Sequence, residues 1–110
     1  MPKKGTIIIT PFPFTDLTGS KIRPALVISD RNTGDDFSVV FISSSSNIKR
    51  MIISDLKIKA TAMNGLKRDS IIKCSKIATL DKKIILGGIG TLNESEIKQV
   101  DKRLRSIFGL

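Results

Sequence analysis

Apolar residues in this chain come in short runs separated by turn formers. Residues 6–10 hold three consecutive isoleucines between threonines, a β-branched run that predicts a first strand. Pro11-Phe12-Pro13-Phe14 then blocks both a helix and a regular central ladder, and residues 15–20 read as a loop. A second strand is expected after Arg23, running to Ser29. Residues 30–36 are dense in turn formers and lead to a third strand over 37–42. These two should pair as a hairpin near the centre of a sheet. Ser43-Ser44-Ser45-Ser46-Asn47 follows as a loop at the end of that strand. Residues 51–58 predict a fourth strand and Met63-Asn64-Gly65-Leu66 a turn. Residues 70–74 and 76–80 predict two short strands or one bent one. The last apolar run, 84–90, carries glycines that mark bulges or a barrel corner.

Only the C-terminal stretch changes period. Asn93 can cap a helix, and Glu96 three residues on completes a capping-box pattern. Ile97, Val100, Leu104 and Ile107 recur at helical spacing, and Gly109 is a natural stop. Arg103 and Arg105 suit the C-terminal end of the helix dipole. One apolar stripe means that the helix packs on the sheet or on a partner subunit. The expected fold is mainly β, a small and strongly bent antiparallel sheet with one C-terminal helix. No repeat or boundary divides residues 1–110, so a single domain is expected.

One charged residue interrupts this pattern. Arg23 stands at the doorway of the second strand, between the Thr18-Gly19-Ser20 turn signal and Pro24. A strand that should be buried is costly ground for a charge unless something anionic meets it. Pro24 lacks a backbone donor, belongs at a strand's first residue or on an edge, and biases Arg23 toward extended geometry. The arginine is therefore pre-aimed.

Charge extends the picture. Nineteen basic residues against ten acidic give a net charge of +9, the footprint expected for a partner rich in phosphate or carboxylate. No apolar run approaches the ~20 residues that span a bilayer, so no membrane partner is expected. A single cysteine, Cys74, allows no internal disulfide and predicts a cytoplasmic site. Cys74 falls in a strand-like run and reads as a small buried apolar residue.

The residue types also limit the chemistry. The chain has no histidine, tryptophan or tyrosine, which excludes a histidine-pair ribonuclease, a Ser-His-Asp hydrolase and a Cys-His protease. Its carboxylates are scattered and its cysteine is alone, so no metal or other cofactor is expected. A phosphate-cradling GxxxxGK[ST] loop is missing, and Leu86-Gly87-Gly88-Ile89-Gly90 reads better as a bulged strand. Catalysis would have to run on arginine, lysine, hydroxyls and a carboxylate. Such a set can stabilise developing charge and hold a line of attack, but offers no protein nucleophile. Arg23 offers fork-shaped donors matched to phosphate oxygens.

Phe14-Thr15-Asp16-Leu17-Thr18-Gly19 followed by Lys21-Ile22-Arg23-Pro24-Ala25-Leu26-Val27-Ile28-Ser29 resembles the MazF/PemK toxins of bacterial toxin–antitoxin pairs. So do Gly65-Leu66-Lys67-Arg68-Asp69-Ser70, Lys76-Ile77-Ala78-Thr79-Leu80-Asp81-Lys82 and Ile89-Gly90-Thr91-Leu92. The resemblance keeps motif order from Gly5 to Leu110. It implies an SH3-like, CcdB-like small barrel, a homodimer, and metal-independent cleavage of single-stranded RNA, held in check by a cognate acidic antitoxin. It also implies a catalytic role for the arginine before the proline, here Arg23, assisted by a Thr or Ser after the next strand. Aligning Ser45-Ser46-Asn47-Ile48 with the family's Thr-x-Gln-Ile-like segment selects Ser45, with Ser44 and Ser46 as rivals. Ser20, Lys21, Ser44, Ser46, Lys49, Arg50, Lys67, Arg68 and Lys73 are the candidates for the RNA path.

Two departures bear on chemistry. The segment before Arg23 is short and has no acidic residue, and Ser75 and Ala78 stand where some members carry a carboxylate and an arginine. The proton acceptor and the base preference are therefore left open. Two other classes fit the fold: a non-catalytic RNA- or antitoxin-binding relic, and a gyrase-poisoning toxin of the CcdB type. The latter depends on a C-terminal tryptophan, whereas this chain ends Ile107-Phe108-Gly109-Leu110.

Overall fold

The computed structural model describes residues 2–11, 21–30, 34–44 and 50–110. Among them, β1 (Thr6–Pro11), β2 (Ile22–Val27), β3 (Asp36–Ser44), β4 (Asp55–Ile58), β5 (Ser70–Asp81) and β6 (Gly87–Thr91) precede the helix α1 (Glu94–Phe108). The strands form one antiparallel sheet of order β4-β5-β3-β2-β1-β6, curled into a half-barrel. The expected β2–β3 pair does lie at its centre. No helix among the described residues is long and apolar enough to cross a membrane.

Both faces of the central strands are buried, which explains why the sequence shows apolar runs and not a clean alternation. Ile7, Leu26, Val40, Ile42, Ile58 and Ile72 share one cluster with Val100, and Ile97 and Leu104 of α1 pack against it. Ile8, Ala25, Val27, Val39 and Phe41 form a second cluster. The register Ile7↔Leu26 and Ile8↔Ala25 accounts for this division, since successive side chains point to opposite faces.

Several strand boundaries differ from the sequence pattern. β2 takes in Ile22 and Arg23. The last strand begins at Gly87, because residues 82–84 form a tight turn. Three further ends have a visible cause. β3 does not stop at Ile42: Ser43 and Ser44 pair with Ile71 and Ser70, so two of the four serines belong to the strand. The fourth strand begins only at Asp55, because residues 51–54 form a turn. There Asp55 N donates to Ile52 O at 2.9 Å and Ile52 N to Asp55 Oδ2 at 3.1 Å. That turn leaves Ile52 and Ile53 exposed, so an apolar stretch that resembles a strand is a surface feature. β2 ends at Val27, two residues short of Ser29. Ser29 Oγ instead accepts from Ser38 N at 3.1 Å, a side chain replacing the ladder.

The bent fifth strand is continuous. Its register jumps from Val40↔Ile77 to Phe41↔Lys73, which gives the bend. The glycine run behaves as expected too: pairing slips between Ile7↔Gly90 and Ile8↔Gly88, leaving Ile89 as the extra residue of a bulge. At the helix start the capping box is complete, with Glu96 N donating to Asn93 Oδ1 at 2.8 Å and Asn93 N to Glu96 Oε1 at 3.0 Å. Gly109 closes the helix in the left-handed region. Ile107, the last residue of the predicted stripe, stays exposed.

Candidate nucleic-acid interface

Arg23 is the second residue of β2, held opposite Thr10, and Pro24 lies opposite Ile9. The β2–β3 ladder runs only from Val27↔Val39 to Ala25↔Phe41. Pro24 therefore sits just where no donor to β3 is required. Continuing that antiparallel register by two residues sets Arg23 across from Ser43, so the strand end presents a cation beside hydroxyls.

Residues of β1, β2, β3, β5 and β6 meet the segment between β4 and β5 around a cleft of about 520 Å³. Three cations line it: Arg23, Lys67 and Arg68. Ser43, Ser44 and Ser70 add hydroxyls, and Ile9, Pro24, Ile42, Leu66 and Ile89 add apolar wall. Arg23 is half-buried, whereas Lys67 and Arg68 are exposed. Ser43 Oγ is buried and has no hydrogen-bond partner among the described residues.

The wall that carries Lys67 and Arg68 is organised by Asn64, one of few buried polar side chains. Its Oδ1 accepts from Thr61 N and Leu66 N, both at 3.0 Å, and its Nδ2 donates to Lys59 O at 2.9 Å. Ala60 N donates to Asp69 Oδ1 at 2.9 Å, and Ser70 Oγ donates to Arg68 O at 2.8 Å. Every polar atom of the Asn64 side chain is thus engaged with loop backbone, which keeps a buried amide from being a liability. Sequence reading marked residues 63–66 only as a turn and missed this role. The Asn-Gly pair was the available signal, but it says nothing about burial.

The remaining candidates divide. Ser44, Lys67 and Arg68 share the cleft with Arg23. Lys21 and Arg50 are exposed and are not among the residues lining it. Lys73 Nζ lies 2.9 Å from Asp55 Oδ2, bridging β5 to β4 away from the cleft walls. Ser20, Ser45, Ser46 and Lys49 lie outside the described residues. Ser43, which sequence reading placed in the loop but did not select, lines the cleft together with Arg23.

Cys74 takes no part in the cleft. Burial in the core pushes its thiol up to about 11; Arg103 opposes that shift and Asp55 adds to it. The thiol is therefore protonated at neutral pH and poorly nucleophilic. Among the described residues, no group of three or more cysteine, aspartate or glutamate side chains is placed to hold a metal ion. What the cleft can do is accept an anion at its mouth and stabilise charge that develops on it.

A family model, the PemK-like, MazF-like toxin of type II toxin–antitoxin systems, matches residues 3–108. No curated protein matches the chain. Among solved structures, MazF from Deinococcus radiodurans superposes with a TM-score of 0.78 at 16% identity, over 99% of this chain and 97% of that one. A mycobacterial endoribonuclease in complex with its cognate antitoxin gives 0.77 at 17% identity, over 100% and 97%. The Mycobacterium tuberculosis toxin MazF-mt6 gives 0.74 at 21% identity, over 96% and 97%. At such identities these likenesses establish a shared fold.

Proposed function

Since the chain belongs to the PemK-like, MazF-like toxins of type II toxin–antitoxin systems, we propose that it is a toxin endoribonuclease that cuts single-stranded RNA without a metal ion and so arrests translation. The observation that carries this reading is the cleft in which Arg23 meets Lys67, Arg68 and the serines of β3. In the reaction the substrate's 2′-oxygen attacks the adjacent phosphorus, forming a 2′-O–P bond as the P–O5′ bond breaks. The 2′-proton departs to an acceptor, and the leaving 5′-oxygen gains a proton. Arg23 forks onto the non-bridging oxygens, where negative charge accumulates. It does so as a fixed cation, because arginine is too weak an acid to act as the base near neutral pH. Ser45 is the assisting hydroxyl, and Lys67 and Arg68 bind flanking phosphates.

The encounter with messenger RNA takes place in the cytoplasm. A cognate acidic antitoxin inhibits by laying carboxylates on the same cations, drawn by the +9 charge. Two copies of the chain form the working dimer. Ile53 (98% exposed), Ile107, Phe108 and Leu110 supply apolar surface for that contact, around a groove shared by the 51–54 turn and the end of α1. Substituting Ile53→Lys should then yield a monomer by sedimentation.

The deciding experiment incubates the chain with a labelled RNA in excess EDTA. Cleavage to products ending in a 2′,3′-cyclic phosphate is expected, and substitution of the cut nucleotide by its 2′-deoxy form should block it. Loss of activity in EDTA, or cleavage of DNA, would overturn the reading.

A further inference from the structure

Asn64-Gly65 is the one Asn-Gly pair in the chain, and a separate requirement holds each half in place. At position 65 a side chain would strike the Ile89 carbonyl, and the left-handed backbone favours glycine in any case. At position 64 an amide serves three backbone partners: Oδ1 accepts from Thr61 N and Leu66 N, and Nδ2 donates to Lys59 O.

That pair carries a chemical hazard. Glycine shields its nitrogen least, so Gly65 N, once a base removes its proton, can attack Asn64 Cγ. The new N–Cγ bond closes a five-membered succinimide as the Cγ–Nδ2 bond breaks. Ammonia leaves, taking up a proton in place of the one that Gly65 N gave up. Water then opens the ring at either carbonyl, leaving aspartate or isoaspartate, in which the main chain runs through the side-chain carbons.

The fold opposes each step. Gly65 N is committed to Thr61 O at 3.0 Å, and the Asn64 amide is held by its three bonds. Asn64 is 1% exposed, which keeps base and water away from it. Thr91 N of β6 donates to Met63 O at 3.0 Å and pins the segment from the sheet side. Nor would the product fit back. A Cβ on Gly90 would collide with the Asn64 carbonyl carbon and Met63 O, so the main chains of 63–64 and β6 already touch. Isoaspartate lengthens the main chain where no space is left for it. Aspartate keeps the length but turns the Nδ2 donor into an oxygen facing Lys59 O, burying two acceptors against each other.

We infer that Asn64-Gly65 is a latent modification site: silent while the 59–69 segment is docked, it deamidates when that segment opens, and the product cannot dock again. Each spell of unfolding then removes a share of the chains for good, and with them the wall that holds Lys67 and Arg68 in the cleft with Arg23. The inference does not depend on the ribonuclease reading.

The test holds the whole chain, with reductant present, either folded in buffer or unfolded in guanidinium chloride, at pH 8 and at pH 5. Conversion at position 64 is read by peptide mass spectrometry, isoaspartate by isoaspartyl methyltransferase labelling, and recovery by refolding and thermal melting. At pH 8 the unfolded chain should convert Asn64 ahead of the three other asparagines. Its rate should exceed that of the folded chain by ~10²-fold or more, because conversion in the folded chain waits on local opening. The refoldable fraction should fall in step with intact Asn64, and far more slowly at pH 5, where the base that removes the Gly65 proton is scarce. N64D, which mimics one product, should melt below the unmodified chain or lose its cooperative melt. Equal conversion in folded and unfolded chains would show that the fold does not guard the pair. Isoaspartate-containing chains that refold with the unmodified melting temperature would show that the product docks after all. Either result overturns the inference.

Discussion

The backbone of Gly65 lies so close against Ile89 that a Cβ at position 65 would stand 2.0 Å from the Ile89 carbonyl oxygen. Gly65 is also in the left-handed region, with φ +69. Both facts forbid a side chain where the 59–69 segment docks on β6. Gly65→Ala should therefore cost more than about 2 kcal/mol, combining left-handed strain with a backbone collision. The shift should also carry Lys67 and Arg68 away from Arg23. Thermal unfolding together with RNA affinity checks this: both should fall, whereas Gly34→Ala, with a comparable φ but open space around it, should lower stability alone.

Arg23→Ala should lower the cleavage rate by ~10²–10³, the usual loss when one preorganised donor to a developing charge is removed. The fold should survive, because the residue is half-buried at a strand entrance and lies outside both core clusters. Ser45→Ala should cost less. Single-turnover cleavage rates, with circular dichroism as the control for folding, measure these effects.

Lys73 and Arg68 should separate in a salt titration. Arg68→Ala removes one phosphate contact, so the slope of log affinity against log salt should fall by about 0.7 for single-stranded RNA. Lys73→Ala should leave that slope alone and instead destabilise the fold by roughly 3 kcal/mol, because it abandons the buried Asp55 carboxylate. Ile52 N still donates to Asp55 Oδ2 at 3.1 Å and Arg103 Nε to the main-chain Asp55 O at 3.1 Å, but neither places an opposite charge on the carboxylate.

Cys74 should make the protein alkali-sensitive. Below its ordinary value of 9.0 the thiol is protonated in folded and unfolded chains alike, so it contributes no pH dependence. Above that, the unfolded chain loses the proton first, while burial holds the folded thiol protonated to about 11. Stability should then decline between those values, by on the order of 2 kcal/mol. Denaturant titrations at pH 8.5 and 10.5 should show a smaller decline in Cys74→Ala.

Local chemistry was legible from the sequence. The Asn93–Glu96 box, the Gly109 stop, the β-branched first strand and the Arg23-Pro24 strand entrance each depend on residues a few positions apart. Backbone sterics and short-range hydrogen bonds decide such features before any packing. The antiparallel sheet with a terminal helix followed from the same signals, and so did the bulge at the glycine run.

Other features depended on residues distant in sequence. Residues 51–54 look like a strand by composition, yet a turn closed by Asp55 takes them out of the ladder. Ser43 and Ser44 look like loop, yet β5 supplies them with partners. Lys73 looks like a phosphate contact until Asp55 is found 2.9 Å away. Asn64 looks like any turn residue until its amide is seen wiring the wall that carries Lys67 and Arg68. The cleft itself draws on five strands and the 59–69 segment, so its walls become neighbours only once the sheet has curled. Hydrophobicity and turn propensity mark which segments will pair or bend, but burial and pairing register arise from the packed whole, and they decide which charges remain available to a ligand.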